Sequence, residues 1–412
     1  MNQGLNGKGG PLEGIRVIDW SIWQLGPVST MMLADLGAEV IKVETLDGEQ
    51  SREFHRVIGP SSMLAGGLSA YFLSLNRQKK SIALDLKNPK GVKVMYDLVK
   101  QSDILVQNFR QGVAERLGLG YEDLARLNPR LIYAAGSGYG PKGPDSGKSA
   151  MAFTGEARSG SLWWAGPDDG IPYDLRYVAD QMAGIMLSYG ILGALHARDR
   201  LGKGQKVDVS HLGSMMWLGG VRYGMALLTG NEHQRESRDM MRNPLWNCYK
   251  CKDDEWIAFS MNRSDRYWPS FCDALEISDI ATDERFRDTE ARAENRKDLI
   301  EFLDGVFLTR TLEEWIHVFE NRAKDIIWER VQSVQDLPND PQVVENEYIV
   351  DFDHPVLGPT KWLQTPVTYS DTPVSTRKMA PELGEDTDEI LTEILGYTSE
   401  QIADLRKAGA TL

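Results

Sequence analysis

The sequence predicts an α/β protein: a large Rossmann-like domain on an open parallel sheet, joined to a smaller α+β domain. Three observations carry this. Short β-branched runs alternate with helical patterns over the first 140 or so residues. Near Asn231 the pattern changes to a hairpin followed by amphipathic helices. The 412 residues exceed what one ordinary core organises.

The stretch "GIRVIDWS" (Gly14 to Ser21) reads as a strand. "GPVSTMMLADLGA" follows as a helix, with Pro27 near its start and Gly37 near its end, and "EVIKVE" is a second strand. A strand–helix–strand unit of this kind calls for a parallel pair with a right-handed crossover. "KSIALDL" is again strand-like. In "NPKGVKVMYDLVKQ", Asn88 is a cap, Pro89 takes the first helical position, and Val94, Met95 and Leu98 contribute to an apolar face. "DILVQNF" is a strand, and "YEDLARLNPRLIYAAGSGYG" is a helix running into another. Pro141 to Pro172 is rich in Gly, Pro and Ser, a long connection of the kind that carries function, with part of it helical. Tyr177 to Gln205 has apolar residues and glycines between Asp180 and Asp199 and reads as a buried helix. "GQKVDVS" is a strand and "GSMMWLGGVRYGMALLTG" a helix. Beyond Asn231, "NCYKCKDDEWIAFSM" alternates like a hairpin, and three amphipathic helices follow. From Val334 come Pro-rich extended segments and a final amphipathic helix. The expected division is 1–230, 231–333 and 334–412.

Composition narrows the function classes. A net charge of −14 disfavours nucleic acid and anionic membranes as partners. Three cysteines, Cys248, Cys251 and Cys272, argue against a disulfide framework and fit a reducing compartment. The start is polar and Gly-rich, and no apolar run reads as long enough to span a bilayer, so a soluble cytoplasmic protein is expected.

Several motifs have plain readings. "GPDSGKS" falls one residue short of a phosphate loop, and no G-x-G-x-x-G follows the first strand. "CYKC" lacks the further ligands of a zinc site, and the six histidines show no metal spacing, so no metal is expected. The turns "NRQKKS" and "NFRQGVAERLG" put cations beside strand ends, where they either hold phosphates or are solvated surface. Trp163 and Trp164 line an apolar ligand pocket, plug the core or anchor a subunit contact. Asp180 reads as a helix N-cap, and equally as a carboxylate held ionised by the helix start and competent as a nucleophile. The residues alone leave both readings open.

Taken together, "PLEGIRVIDW", "GPVSTMMLADLGAEVIKVE", "NRQKKSIALDL", "DILVQNFRQGVAERLGLGYEDL", "ADQMAG", "GILGALHARDRLGKGQKVDVS" and "APELGEDTDEIL" resemble the family III CoA-transferases, the CaiB/BaiF group, along nearly the whole chain. The resemblance implies that the C-terminal segment returns to the large domain. It also implies an interlocked, ring-through-ring dimer, with an identical or a related chain. By resemblance Asp180 in "ADQMAG" is the nucleophile, passing through aspartyl anhydride and aspartyl-CoA thioester intermediates. CoA or acyl-CoA is then substrate, with no permanently bound cofactor. The matched CoA contacts are Gln24, Lys79, Asn108, Phe109 and Arg116. Thr45 replaces a basic residue of formyl-CoA transferase, that enzyme's glycine-rich active-site loop is absent, and Glu156 replaces the glutamine of the usual "QAxSG". Formyl transfer is therefore not expected. The expected acceptor is a bulkier acid, aromatic or dicarboxylic, with Trp163 and Trp164 supplying bulk and Arg158 and Arg176 holding a second carboxylate. Succinyl-CoA is a candidate donor. Racemases of the same fold use a histidine where this chain has Met151, which favours transfer over α-proton chemistry. A non-catalytic CoA-binding subunit of a heterodimer is the remaining alternative.

Overall fold

The β-branched runs become a six-stranded, wholly parallel sheet in a computed structural model that describes residues 9–166, 172, 175–231, 235, 237–374, 376 and 378–412. The strands are β1 (Arg16–Trp20), β2 (Glu39–Glu44), β3 (Lys79–Ala83), β4 (Ile104–Gln107), β5 (Ile132–Ser137) and β6 (Lys206–Ser210). Their spatial order, β3-β2-β1-β4-β5-β6, reverses between β1 and β4. A sheet of this order opens a crevice at the carboxyl ends of its strands.

Alternate side chains feed two cores, as a period of two requires. On one face Val17, Val40, Ile104 and Ile132 pack with Leu25 and Leu33 of α1 (Leu25–Asp35). The other face carries Ile18, Ile41, Leu105 and Tyr133. They meet Val94, Met95 and Leu98, on the helix Pro89–Lys100, together with Ile390, Leu391, Ile402 and Leu405 from the end of the chain. The C-terminal segment is fastened to the sheet edge: Ser81 N–H donates to Asp386 Oδ2 (2.8 Å) and Asp85 N–H to Ala410 O (3.0 Å).

Three further helices frame the crevice: α2 (Ala152–Ser159), α3 (Val178–Leu201) and α4 (His211–Leu218). Ala183, Leu187 and Ile191 of α3 join the α1 face of the sheet. Gly184 permits this approach, because a Cβ there would lie 2.9 Å from Leu25 O and 2.7 Å from Val28. By length and composition alone α3 is apolar enough to cross a membrane, contrary to the sequence expectation. It packs here as a core helix against α1, β5 and β6.

By internal contacts the chain forms two units: Met1–Trp163 with Asp174–Glu232 and Gln342–Leu412, and Trp164–Tyr173 with His233–Pro341. The second has a three-stranded antiparallel sheet of β7 (Cys248–Lys250), β8 (Trp256–Phe259) and β9 (Trp328–Arg330). Its core is aromatic: Tyr249, Phe259, Phe271, Phe307, Trp315 and Phe319 are all buried. The three cysteines are free, and burial pushes the Cys251 thiol up to about 11 and Cys272 to about 12.

Candidate active site

The carboxyl ends of β1, β4, β5 and β6 supply Ile22, Asn108, Gly136 and His211 to one cavity of about 410 Å³. Arg110, Lys148, Met151 and Asp180 complete much of its wall. A second cavity, of about 420 Å³, has a wall of Trp23, Phe54, Tyr71, Phe153 and Tyr177, with Glu156 and Arg176. Trp23, Met151 and Asp180 line both, so the Asp180 carboxylate stands where a polar and an aromatic cavity meet.

Asp180 is the third residue of α3 and not its cap, which corrects one of the two readings made from sequence. Tyr177 occupies the capping position with φ 63° and makes no side-chain cap. The free N–H of Ala179 is instead met by Glu156 Oε1 at 3.1 Å, from α2. A capping carboxylate from another helix leaves Asp180 uncommitted to its own helix end, while its first-turn place keeps the favourable dipole. Three bulky residues of the aromatic cavity hold left-handed backbone: Trp23 (φ 64°), Arg176 (φ 34°) and Tyr177 (φ 63°). Each costs on the order of 1–3 kcal/mol and persists only where the surroundings enforce it, as at ligand sites.

Asp180 Oδ1 lies 2.8 Å from His211 Nε2. Both side chains are largely buried, at 17% and 8% exposure. The Tyr71 phenol is pushed well above its usual range by burial and then by the Asp180 charge, so it stays protonated. Tyr71 Oη donates to Gln24 Oε1 (3.2 Å), and Gln24 Nε2 donates to Tyr177 O and to Gln181 Oε1, each at 3.3 Å. Gln24 thus ties the start of α1 to the start of α3.

Of the residues matched to CoA contacts, Asn108 and Phe109 line the polar cavity. Asn108 is locked to the backbone of Ile22 by two bonds (2.9 and 2.7 Å), and Phe109 packs on Trp20 at 4.7 Å. Gln24 is buried beside Asp180's helix. Arg116 is exposed on the short helix Val113–Arg116 and lines neither cavity.

Lys79 is placed differently from these residues. It is 0% exposed, and its Nζ donates to Asp19 Oδ2 (2.8 Å), Asn76 Oδ1 (2.8 Å) and Pro27 O (3.0 Å). Asp19 also accepts from Thr30 (2.8 Å) and Ser21, and Lys42 lies 3.8 Å away. Burial opposes ionisation of Asp19, but Lys42 and Lys79 outweigh it and hold the carboxyl at about 2. In the single chain Lys79 is thus a buried partner of Asp19 and lines neither cavity.

The residues matched to the acceptor divide by position. Trp163 and Trp164, in the helix Ser161–Trp164, line neither cavity, and the aromatic wall comes from Trp23, Phe54, Tyr71, Phe153 and Tyr177 instead. Arg158 is exposed and paired with Asp145 at 2.8 Å, outside both cavities, whereas Arg176 lines the aromatic one. His211 was missed. Its signal lay in the sequence: it directly follows the strand "GQKVDVS", at a carboxyl strand end where ligands sit.

Comparison with known proteins agrees along the chain. The family described as CoA-transferase family III matches residues 12–387. The succinyl-CoA:glutarate CoA-transferase of Mus musculus is 32% identical over 401 residues, covering 97% of this chain and 90% of that protein. The formyl-CoA:oxalate CoA-transferase of Afipia carboxidovorans is 30% identical over 423 residues, covering 97% of each. A crystal structure of a CaiB/BaiF family protein from Brucella suis superposes with a TM-score of 0.83 at 27% identity, covering 94% of this chain and all of that one.

Proposed function

The chain belongs to CoA-transferase family III, and from that premise we propose that it moves CoA from an acyl-CoA, with succinyl-CoA a candidate donor, to a bulky aromatic or dicarboxylic acid. The observation that carries this reading is the position of Asp180 at the junction of the polar and the aromatic cavity. A carboxylate there can be reached by a thioester from one side and by an acid from the other.

In the proposed mechanism the Asp180 carboxylate attacks the donor thioester. CoA thiolate leaves, and a mixed anhydride forms. The thiolate attacks the aspartyl carbonyl, giving an aspartyl-CoA thioester and releasing the donor acid. The acceptor carboxylate then regenerates an anhydride, and CoA thiolate completes the product thioester. Each exchange is near balance, which is the advantage of covalent catalysis. A third cavity, of about 580 Å³, shares Phe109 and Val113 with the polar one and runs past Thr45, Asp47, Asp85 and Lys87. We assign the nucleotide end of CoA to it and the pantetheine arm to the polar cavity, with Asn108 and Phe109 alongside. Gln24 holds the site beneath them, and Arg116 is left to meet the outer phosphates.

The acceptor reading is supported by the aromatic wall and Arg176, whose guanidinium can bind a second carboxylate bidentately. Met151, on both cavities, carries no base, which favours transfer over α-proton exchange. We further propose a dimer in the cytoplasm, interlocked as the resemblance implies. Its support is the apolar surface of Trp217, Val221, Leu227 and Leu228, each more than two-thirds exposed in the single chain.

A panel of acyl-CoA donors and acid acceptors, followed by mass-spectrometric detection of each new acyl-CoA, tests the reading. Turnover is expected with dicarboxylic or aromatic acids. Efficient turnover of small linear monocarboxylic acids alone contradicts the acceptor class. Incorporation of deuterium at the α-carbon without any acceptor contradicts transfer itself.

A further inference from the structure

We propose that His211 is a catalytic hydrogen-bond donor, stabilising the oxyanion that forms on the aspartyl carbonyl of Asp180 each time that carbonyl is attacked. The inference rests on Asp180 being the nucleophile.

The geometry begins with the fold. His211 is the first residue of α4, directly after β6, and Ser210 fixes that helix start by accepting from Gly213 N–H at 3.1 Å. Gly155 of α2 presses on the ring's root: a Cβ there would lie 2.4 Å from His211 Cβ. The imidazole is thereby held against Asp180, with Nε2 2.8 Å from Oδ1. A carboxylate only accepts, so Nε2 carries the proton in this contact. Nδ1 is buried and has no hydrogen-bond partner among the described residues, so none of those competes for the ring.

The reaction gives this contact a task. When Asp180 attacks the donor, the free oxygen, Oδ2, forms the new C–O bond, and the thioester C–S bond breaks to release CoA thiolate. Oδ1 then becomes the carbonyl oxygen of the anhydride and keeps the Nε2–H bond. In the next step CoA thiolate adds to Cγ. The carbonyl electron pair moves onto Oδ1, beside the Nε2–H, and returns as the donor carboxylate departs. The acceptor carboxylate later adds to the same Cγ, again charging Oδ1, and CoA thiolate is expelled. No proton is consumed, and His211 keeps its own throughout. Two of the four additions thus place negative charge on the atom His211 touches, and a donor already in place at such an atom requires no reorganisation.

The test compares the full-length enzyme with His211→Leu, His211→Gln and His211→Asn. Each is measured for kcat, for KM of donor and acceptor, for thermal midpoint, and for hydroxylamine-trapped label at residue 180 by mass spectrometry. Gln can place an N–H near the position of Nε2. Asn, equally polar, falls short of it. His211→Leu is expected to lose roughly 10²–10³-fold in kcat, the scale of one oxyanion donor. KM should stay within about threefold, and Asp180 should still take label. His211→Gln is expected to recover at least tenfold over His211→Leu and His211→Asn. Should the Leu variant not fold, the Gln and Asn pair carries the comparison. Wild-type-like kcat in the Leu or Asn variant, or Asn as active as Gln, overturns the role of His211 alone. Wild-type turnover without label on Asp180 overturns the nucleophile reading, and this inference with it.

Discussion

Replacing Lys79 by Met separates a buried counter-ion from a phosphate contact. Met keeps the length and apolar stem and removes the ammonium with its three hydrogen bonds. What remains is the Asp19 carboxylate, 0% exposed, with Thr30, Ser21 and Lys42 at 3.8 Å still beside it. Stripping one partner from a buried pair costs about 3–5 kcal/mol, chiefly because the other charge stays buried. The surviving partners put the expected loss near the lower end, about 3 kcal/mol. Urea unfolding reads it as a fall in midpoint at constant m-value. KM for acyl-CoA, measured well below the new midpoint, should stay within about twofold, since Lys79 has no surface facing a ligand. If Lys79 instead holds a phosphate, KM rises about tenfold, the equivalent of about 1.4 kcal/mol, and stability is unchanged. That second pattern refutes the placement of Lys79 and the reasoning built on it.

Three other outcomes follow from the geometry. Acid should loosen the fold through Asp19: its folded value near 2 lies below the ordinary aspartate value of 3.8, so its contribution is complete above 3.8 and lost as pH falls through about 2. The loss is about 2 kcal/mol, read from urea midpoints between pH 5 and pH 2, and a flat profile contradicts it. Arg176→Ala should raise KM for a dicarboxylic acceptor about tenfold while Arg158→Ala leaves it unchanged, because only Arg176 lines the aromatic cavity. Equal effects of the two would count against that cavity as the acceptor site. Gly155→Ala drives a Cβ into His211 and should cost about 1–3 kcal/mol of stability together with activity. A fully active, fully stable variant contradicts the packing.

How far the sequence was legible depended on how local each signal was. The strands "GIRVIDWS", "EVIKVE", "DILVQNF" and "GQKVDVS", and the helix capped by Asn88, are written in nearby residues, and each forms where its pattern stands. The cap of Asp180's helix is not local: Glu156, 23 residues away on another helix, meets Ala179 N–H, and no local rule assigns it. The burial of Lys79 is equally non-local. A lysine in "NRQKKS" looks like a charged turn, yet β3 begins at that residue and points it inward at Asp19. The tryptophan pair was conspicuous in sequence, while the aromatic wall that forms draws on residues as distant as Trp23, Phe54 and Tyr177. The matched context singled out Asp180, and the contact it makes with His211 required the fold.

The central claim is that Asp180 forms covalent acyl and CoA intermediates, and trapping them tests it most directly. The enzyme is mixed with acyl-CoA, quenched with hydroxylamine or borohydride, digested and mapped by mass spectrometry, beside Asp180→Asn. The account predicts modification at residue 180 in the wild type, no modification in the variant, and a fall in kcat of roughly 10³-fold or more. Steady turnover with Asp180 unmodified, or an Asp180→Asn variant that retains its activity, contradicts it.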